Sequence, residues 1–332
     1  MKLPNGATLV DANANRNRAE WLVLRRNHLG GSDIASIMGV GWNSPLEVYY
    51  EKRGLMEPTE GDRRMDSASF LEPAVAAWFE KETGFKTTEV GALIGPGHMM
   101  STPDRLIHKT GNGPSAILEI KCPGAHKAAD WAGYDGETIC PDYAAIQSAW
   151  YMLHWDLPEA AVMPLVGGVF GDAIWLTRDA VLEAKMMEAA EDFWKNYVQK
   201  GIEPPASGTE ACKRAIAHVY TDHSEVIRTA TDGEAELIRE FRRVDEAAKA
   251  VVADLDTIKN QIRQVIGADL GIVSPDGKIT YRKSRDGITT EWEMVARTLA
   301  ARYDIGVSLD ELVFSHTTPK PGSRRLLPKW QK

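Results

Sequence analysis

The sequence predicts an α/β fold with a C-terminal helical extension. Up to about residue 200, segments of helical period alternate with short runs rich in β-branched residues. The stretch KGIEPPASG then has the Pro and Gly content of a linker, and beyond it apolar residues recur at alternating threes and fours. These observations divide the chain near residue 210, into a core of residues 1–210 and an extension of residues 211–332.

Element by element, AEWLVLRRNHLGGSDIASIMG reads as a helix, a Gly-Gly break and a second helix starting at Ser32 or Asp33, both good N-caps. SPLEVYYEKRG and SASFLEPAVAAWFEKETG are helices that end at Gly54 and Gly84, where a residue of positive φ closes the last turn. Residues 101–124, STPDRLIHKTGNGPSAILEIKCPG, form two strands around a Gly-Asn-Gly-Pro turn. PDYAAIQSAWYMLHW is an amphipathic helix, EAAVMPLVGGVFGDAIWL supplies one or two strands, and a helix from about Arg178 to Lys200 closes the core. In the extension, Leu237, Phe241, Val244, Ala248, Val251, Leu255, Ile258, Ile262 and Val265 mark an arm over about 232–266. An intermolecular coiled-coil seam and a solvated helix packing on its own domain both fit that spacing. GIVSPDGKITYRKS is a hairpin, and the tail TTPKPGSRRLLPKWQK holds five Lys/Arg and no Asp/Glu.

Composition narrows the class. The chain has 332 residues, enough to bury a sizeable core, and no apolar run of membrane-spanning length. Its first residues lack the apolar stretch of a signal peptide, so a cytoplasmic protein with no membrane association is expected. Cys122, Cys140 and Cys212 are odd in number and widely spaced, which argues against a disulfide framework or a four-thiolate cluster. The net charge of −8 is unfavourable for a protein coated by nucleic acid, yet an enzyme that grips DNA locally can keep an acidic exterior.

The strand pair carries charges where a buried strand should be apolar. In an antiparallel hairpin over 101–121, the midpoint between Asp104 and Glu119 falls inside the turn, so the two carboxylates face each other about 5 Å apart at Cβ. That separation suits a divalent cation, and carboxylate oxygens select magnesium or manganese. The period of two places Glu119 and Lys121 on one face and Leu118 and Ile120 on the other. The competing reading makes Asp104 part of a Pro-Asp turn and Glu119 and Lys121 a solvent-facing pair on an edge strand.

Pro103-Asp104 followed by Glu119-Ile120-Lys121 is similar to the signature of the PD-(D/E)XK nucleases. Together with GGSDIASIMGVGWNSPLEVYYEKRG, FLEPAVAAWFEKETG and YAAIQSAWYML, it makes residues from about Trp21 to Gly201 resemble the YqaJ-type viral recombinases, the lambda exonuclease family. The resemblance implies a restriction-endonuclease-like core, with a mixed central sheet flanked by helices. It implies magnesium-dependent digestion of linear double-stranded DNA from the 5′ end, a homo-oligomer with a trimer favoured, and a single-strand annealing protein as partner. The long extension bears on the trimer, because a helical arm can alter or replace that interface.

Carried over residue by residue, the resemblance makes Asp104 and Glu119 metal ligands, with the Ile120 backbone carbonyl as a further ligand. Lys121 positions the attacking water, and Glu72 is a further acidic residue beside the metal. Gln147 and Tyr151 match a Gln-x₃-Tyr element, with Tyr151 as a DNA contact. Arg25 and Ser32 match contacts to a terminal 5′-phosphate, with Arg26 the alternative to Arg25 and Asp33 read as a cap. His28, His98, His108 and His126 receive no role. Two other classes stay open at this point, a different PD-(D/E)XK endonuclease and a non-catalytic DNA-binding protein that keeps the fold.

Overall fold

The computed structural model describes residues 3–303 apart from 5, 14–16, 58–62, 112, 134, 136 and 285–288, together with residues 308, 311, 314 and 316. Two compact units result, residues 1–221 and 222–332. The first unit begins with β1 (Thr8–Val10), α1 (Arg18–Asn27), α2 (Gly31–Ile37), α3 (Pro45–Lys52) and α4 (Arg63–Thr83). It continues through β2 (Lys86–Thr88), β3 (Ala92–Ile94), β4 (Met100–Ser101), β5 (Arg105–His108), β6 (Ala116–Lys121) and α5 (Asp142–Trp155). β7 (Glu159–Val166), β8 (Val169–Phe170), β9 (Ile174–Thr177), α6 (Ala180–Phe193) and α7 (Glu210–Val219) complete it.

The main sheet runs β2-β5-β6-β7-β8, with β9 also paired to β7. Only β6 and β7 are parallel, so the sheet is mixed, as expected. A parallel pair needs a crossover, and α5 supplies it, lying against β6 and β7. Helices cover both faces, and the residues of β6 sort accordingly. Ile117 packs among Ile146, Trp150 and Ala149 of α5, whereas Leu118 and Ile120 pack with Val75, Ala76 and Phe79 of α4. A second, three-stranded sheet, β1-β3-β4, has no counterpart in the sequence reading, because its strands are only two or three residues long.

The helix boundaries follow the capping chemistry with one correction. Ser44 accepts a hydrogen bond from the Glu47 N–H at 3.1 Å with Pro45 in the first turn of α3, and Gly84 closes α4 with φ of 75°. The expected caps Ser32 and Asp33 lie inside α2, whose N-cap is Gly30. Leu29 is fixed by backbone bonds to His98 and Met100, so the chain turns directly after it. Asp33 still serves the turn, accepting from the Gly30 N–H at 2.9 Å. Gly31 is needed for packing, since a Cβ there would come within 2.9 to 3.0 Å of Gln147 and Tyr151.

The C-terminal side of the first unit also differs from expectation. The segment read as one or two strands makes β7, β8 and β9, and α6 continues into a π-helical turn over Trp194–Val198. The unit extends past residue 210 to include α7, which buries Ala211, Cys212 and Ala215 in the core shared with α3. The second unit contains α8 (Asp232–Ile266), the hairpin β10 (Gly271–Ser274) and β11 (Gly277–Thr280), and α9 (Trp292–Tyr303). The span of α8 matches the expected arm. Its seam is largely exposed at Leu237, Val244, Val251, Leu255, Ile258 and Val265, and only Ile266 is buried. The basic tail lies outside the described residues. No helix among them is long and apolar enough to cross a membrane.

A chain ended after Thr221 is expected to unfold cooperatively with the stability of the full-length first unit. One ended at residue 210, lacking α7, should lose more than about 2 kcal/mol through core exposure. Urea denaturation of the two truncations checks this, and equal midpoints would show that α7 contributes nothing.

Candidate active site

The register of β5 against β6 pairs Arg105 with Leu118, and one step outward sets Asp104 against Glu119. The expected facing of the two carboxylates is therefore the observed one. Asp104 Oδ2 accepts from the Ile120 N–H at 2.6 Å, which ties the carboxylate to the strand. Glu119 is 2% exposed although it sits mid-sheet, and its Oε1 accepts from Lys121 Nζ at 2.7 Å. Its Oε2 is buried without a hydrogen-bond partner. Lys121 Nζ also donates to Gln147 Oε1 at 2.9 Å, and Gln147 Nε2 donates to the Tyr151 hydroxyl at 3.0 Å. Gln147 and Tyr151 are one turn apart on α5, so the crossover helix that completes the sheet also holds the lysine.

These groups line one cavity of about 550 Å³ with Glu72 of α4. Arg25, Ser32 and Trp21 line the same cavity, so the structure brings together every expected site residue except Arg26. Arg26 instead makes a bidentate pair with Glu57 at 2.7 and 2.8 Å. Arg25 Nη2 donates to Asp33 Oδ1 at 3.2 Å and lies 3.5 Å from Ser32 Oγ, while its guanidinium rests 5.4 Å from the Trp21 ring centre. Arg25 Nε and Trp21 Nε1 are buried donors without partners. Lys52 is fully buried beneath this wall, donating to Asp33 Oδ2 at 2.7 Å and to the Arg25 carbonyl at 2.6 Å.

Trp21, Asp33 and Lys52 have no site role in the sequence reading. Trp21 had a usable signal, being four residues before Arg25 and so on its helix face. Lys52 had none, because a lysine in the last turn of a helix ordinarily serves the helix dipole. Of the histidines set aside above, none lines the cavity.

Burial and mutual repulsion shape the electrostatics. Burial, then the facing Asp104, push the Glu119 carboxyl up to about 8, and burial likewise raises Asp104. Burial opposes the Lys121 charge, but Glu119 and Asp104 outweigh it and raise its pKa. Two carboxylates that repel each other, one with a bare buried oxygen, are matched by a divalent cation, which supplies the missing partner. Among the described residues no three His, Cys, Asp or Glu side chains converge as a ready-made cage. A magnesium ion does not need one, since it commonly takes one or two carboxylates and keeps several waters. Asp104 and Glu119 fit that requirement, with Glu72 close enough to act on Glu119 electrostatically.

Residues 20–154 match the YqaJ-like viral recombinase domain, a span that carries Arg25, Ser32, Glu72, Asp104, Glu119, Lys121, Gln147 and Tyr151. Over these residues the chain is similar to the YqaJ-like viral recombinases. The chain is 27% identical over 279 residues to the uncharacterized protein YqaJ of Bacillus subtilis strain 168, covering 80% of this chain and 84% of that one. An alignment of that length cannot fit within residues 1–221, so the YqaJ protein shares part of the second unit. Among solved structures, the alkaline exonuclease LHK-Exo of Laribacter hongkongensis is 20% identical with a TM-score of 0.46, over 56% of this chain and 94% of that one. Its complex with dAMP gives 19% and 0.47 over the same shares. A phage-related exonuclease of Haemophilus somnus 129PT is 14% identical with a TM-score of 0.39, over 54% of this chain and 99% of that one.

The raised Glu119 pKa fixes the sign of a stability test on the YqaJ-like domain. With a folded pKa near 8 against an ordinary value of 4.5, the native state holds the extra proton between those pH values, so this group's contribution falls as pH rises through that window. In chelator, Glu119→Gln should therefore remove this part of the pH dependence of stability, because the amide neither takes up nor releases the proton. Magnesium should raise the urea midpoint of the parent and leave the variant nearly unchanged; equal responses would remove Glu119 from the metal site.

Proposed function

We propose that this protein is a magnesium-dependent exonuclease that digests linear double-stranded DNA from its 5′ ends, leaving 3′ single-stranded tails for recombination by strand annealing. The observation that carries the reading is the pattern of unsatisfied groups in one cavity. A bare carboxylate oxygen at Glu119 calls for a cation, while bare N–H donors at Arg25 and Trp21 call for an anion. A phosphodiester beside a metal ion, together with a terminal phosphate, meets both demands. The match to the YqaJ-like viral recombinase domain supports it.

In this reading Asp104 and Glu119 hold the cation, with Glu72 and the Ile120 carbonyl completing its surroundings; manganese is a substitute. When bound, such an ion polarises the phosphoryl group and acidifies water at neutral pH. Lys121, fixed by Glu119 and Gln147, presents its ammonium to the attacking water and to charge developing on the phosphoryl oxygens. Tyr151 reaches the site through Gln147 and contacts the DNA from the α5 side. Arg25, with Ser32 beside it, binds the 5′-phosphate through charge-assisted hydrogen bonds. The anion site rests on these side chains and not on the start of α2, where Asp33 already occupies the Gly30 N–H. The working form is a homo-oligomer, with a trimer favoured, acting beside a single-strand annealing protein in the cytoplasm.

Asp104→Ala, Glu119→Ala and Lys121→Ala should each reduce cleavage of linear duplex by about two to three orders of magnitude, on the scale of losing a preorganised electrostatic group. Rates on 5′-phosphorylated linear DNA, 5′-hydroxyl linear DNA and closed circles test the reading. Cutting of closed circles would replace an exonuclease by an endonuclease, and no magnesium-dependent cleavage of any substrate would leave a DNA-binding protein that keeps the fold.

A further inference from the structure

The wall of the cavity around Arg25 and the layer beneath it contain two charged side chains, Asp33 and Lys52, that no step above uses. Asp33 is 1% exposed and the Lys52 side chain is fully buried. Burying two charges is costly unless every bond they need is made. Here the bonds converge on one residue: Lys52 Nζ donates to the Arg25 backbone carbonyl at 2.6 Å, and its other partner, Asp33 Oδ2, belongs to the carboxylate whose Oδ1 takes Arg25 Nη2 at 3.2 Å. Lys52 thus holds the main chain of Arg25 directly and its guanidinium through Asp33. The Trp21 ring lies 5.4 Å from the guanidinium carbon, and the Arg25 Nε–H remains unpartnered.

We propose that Asp33 and Lys52 are positioning residues that lock the Arg25 guanidinium in the orientation that receives the terminal phosphate of DNA. The assignment rests on the reading of Arg25 as the phosphate contact. A free arginine side chain has many rotamers and loses that freedom on binding, which weakens the contact it makes. The Asp33 carboxylate removes that loss beforehand by taking one N–H while leaving Nε available. It also explains why Asp33 is no metal ligand despite lining the same cavity as Asp104 and Glu119. Its two oxygens are already committed to Arg25, Lys52 and the Gly30 N–H. Lys52 in turn makes a buried carboxylate tolerable between α1, α2 and α3.

The test is a double-mutant cycle on the full-length chain, read as end selectivity: the ratio of kcat/KM on 5′-phosphorylated to 5′-hydroxyl linear duplex. Asp33→Asn should lower that ratio about tenfold, mainly through KM on phosphorylated ends, and Arg25→Ala/Asp33→Asn should match Arg25→Ala alone. A purely structural Asp33 would affect both ends equally. Retention of the parent ratio by folded Asp33→Asn, or multiplication of its effect with that of Arg25→Ala, overturns the assignment while leaving Arg25 as the anchor. Parent selectivity in Arg25→Ala overturns the anchor reading and this assignment together. Should Asp33→Asn unfold because Lys52 is left uncompensated, the charge-balanced pair Asp33→Asn/Lys52→Met carries the same expectation and the same refutation.

Discussion

A carboxylate buried in the middle of a sheet is the constraint on which this structure turns. Glu119 occupies an inner position on β6, with β5 and β7 on either side and α4 and α5 over the two faces. An apolar residue there would pack without penalty. The glutamate instead forces polar company into the layer between sheet and crossover helix: Lys121 against one oxygen, Gln147 against Lys121, Tyr151 against Gln147. Asp104 joins from the facing strand and is held by the Ile120 N–H, so its own burial is only partly compensated. The parallel β6-α5-β7 unit, the antiparallel β5 and the cavity are therefore consequences of one placement as much as separate features.

Two buried acidic clusters line the cavity, and they show how burial alone fails to distinguish a structural group from a reactive one. Around Asp33, burial pushes the carboxyl up, yet Lys52 and Arg25 bring its pKa below the ordinary value; its charge is neutralised within the protein. Around Glu119, burial and Asp104 act in the same direction, and Lys121 does not offset them. The Asp33 carboxylate is fully paired within the protein, whereas Glu119 keeps a bare buried oxygen. That unmet demand is the physical content of calling the second cluster a site.

Much of this was legible because the relevant signals are local. The sequence spacing of Asp104 and Glu119 predicts the register that pairs Arg105 with Leu118, and the period of two then assigns faces on β6. The ends of α3 and α4 follow from Ser44, Pro45, Gly54 and Gly84. What escaped depends on distant contacts. The start of α2 is set by Leu29 bonding to His98 and Met100, about seventy residues away, which overrides two good caps. Lys52 looks like any lysine at a helix end until α3 is packed against α1. Arg25 and Arg26 are adjacent and chemically identical, and which of them lines the cavity emerges only once α1 is packed, Arg25 facing it and Arg26 pairing with Glu57 instead. The strands of the small sheet are too short to show a period, and α7 follows a linker-like stretch that gives no warning of a return to the core.

The second unit obeys a different rule. Its 35-residue helix α8 spans about 52 Å at 1.5 Å per residue, and its apolar positions keep the alternation of threes and fours from Leu237 to Val265. A straight helix drifts about 20° per heptad from such a repeat, so a seam held this long is a pattern for supercoiling and not for docking onto a flat sheet. Among the described residues the seam is largely exposed, and the helix is supported by its Thr231–Glu234 capping box and by surface pairs such as Arg242–Glu246 and Lys249–Asp245. Such pairs are individually weak and are screened by salt. Among the described residues, α8 is thus held mostly by such local pairs, with Ile266 buried at its end and Arg263 over the Tyr281 ring, and its apolar seam adds stability only to the extent that another surface covers it.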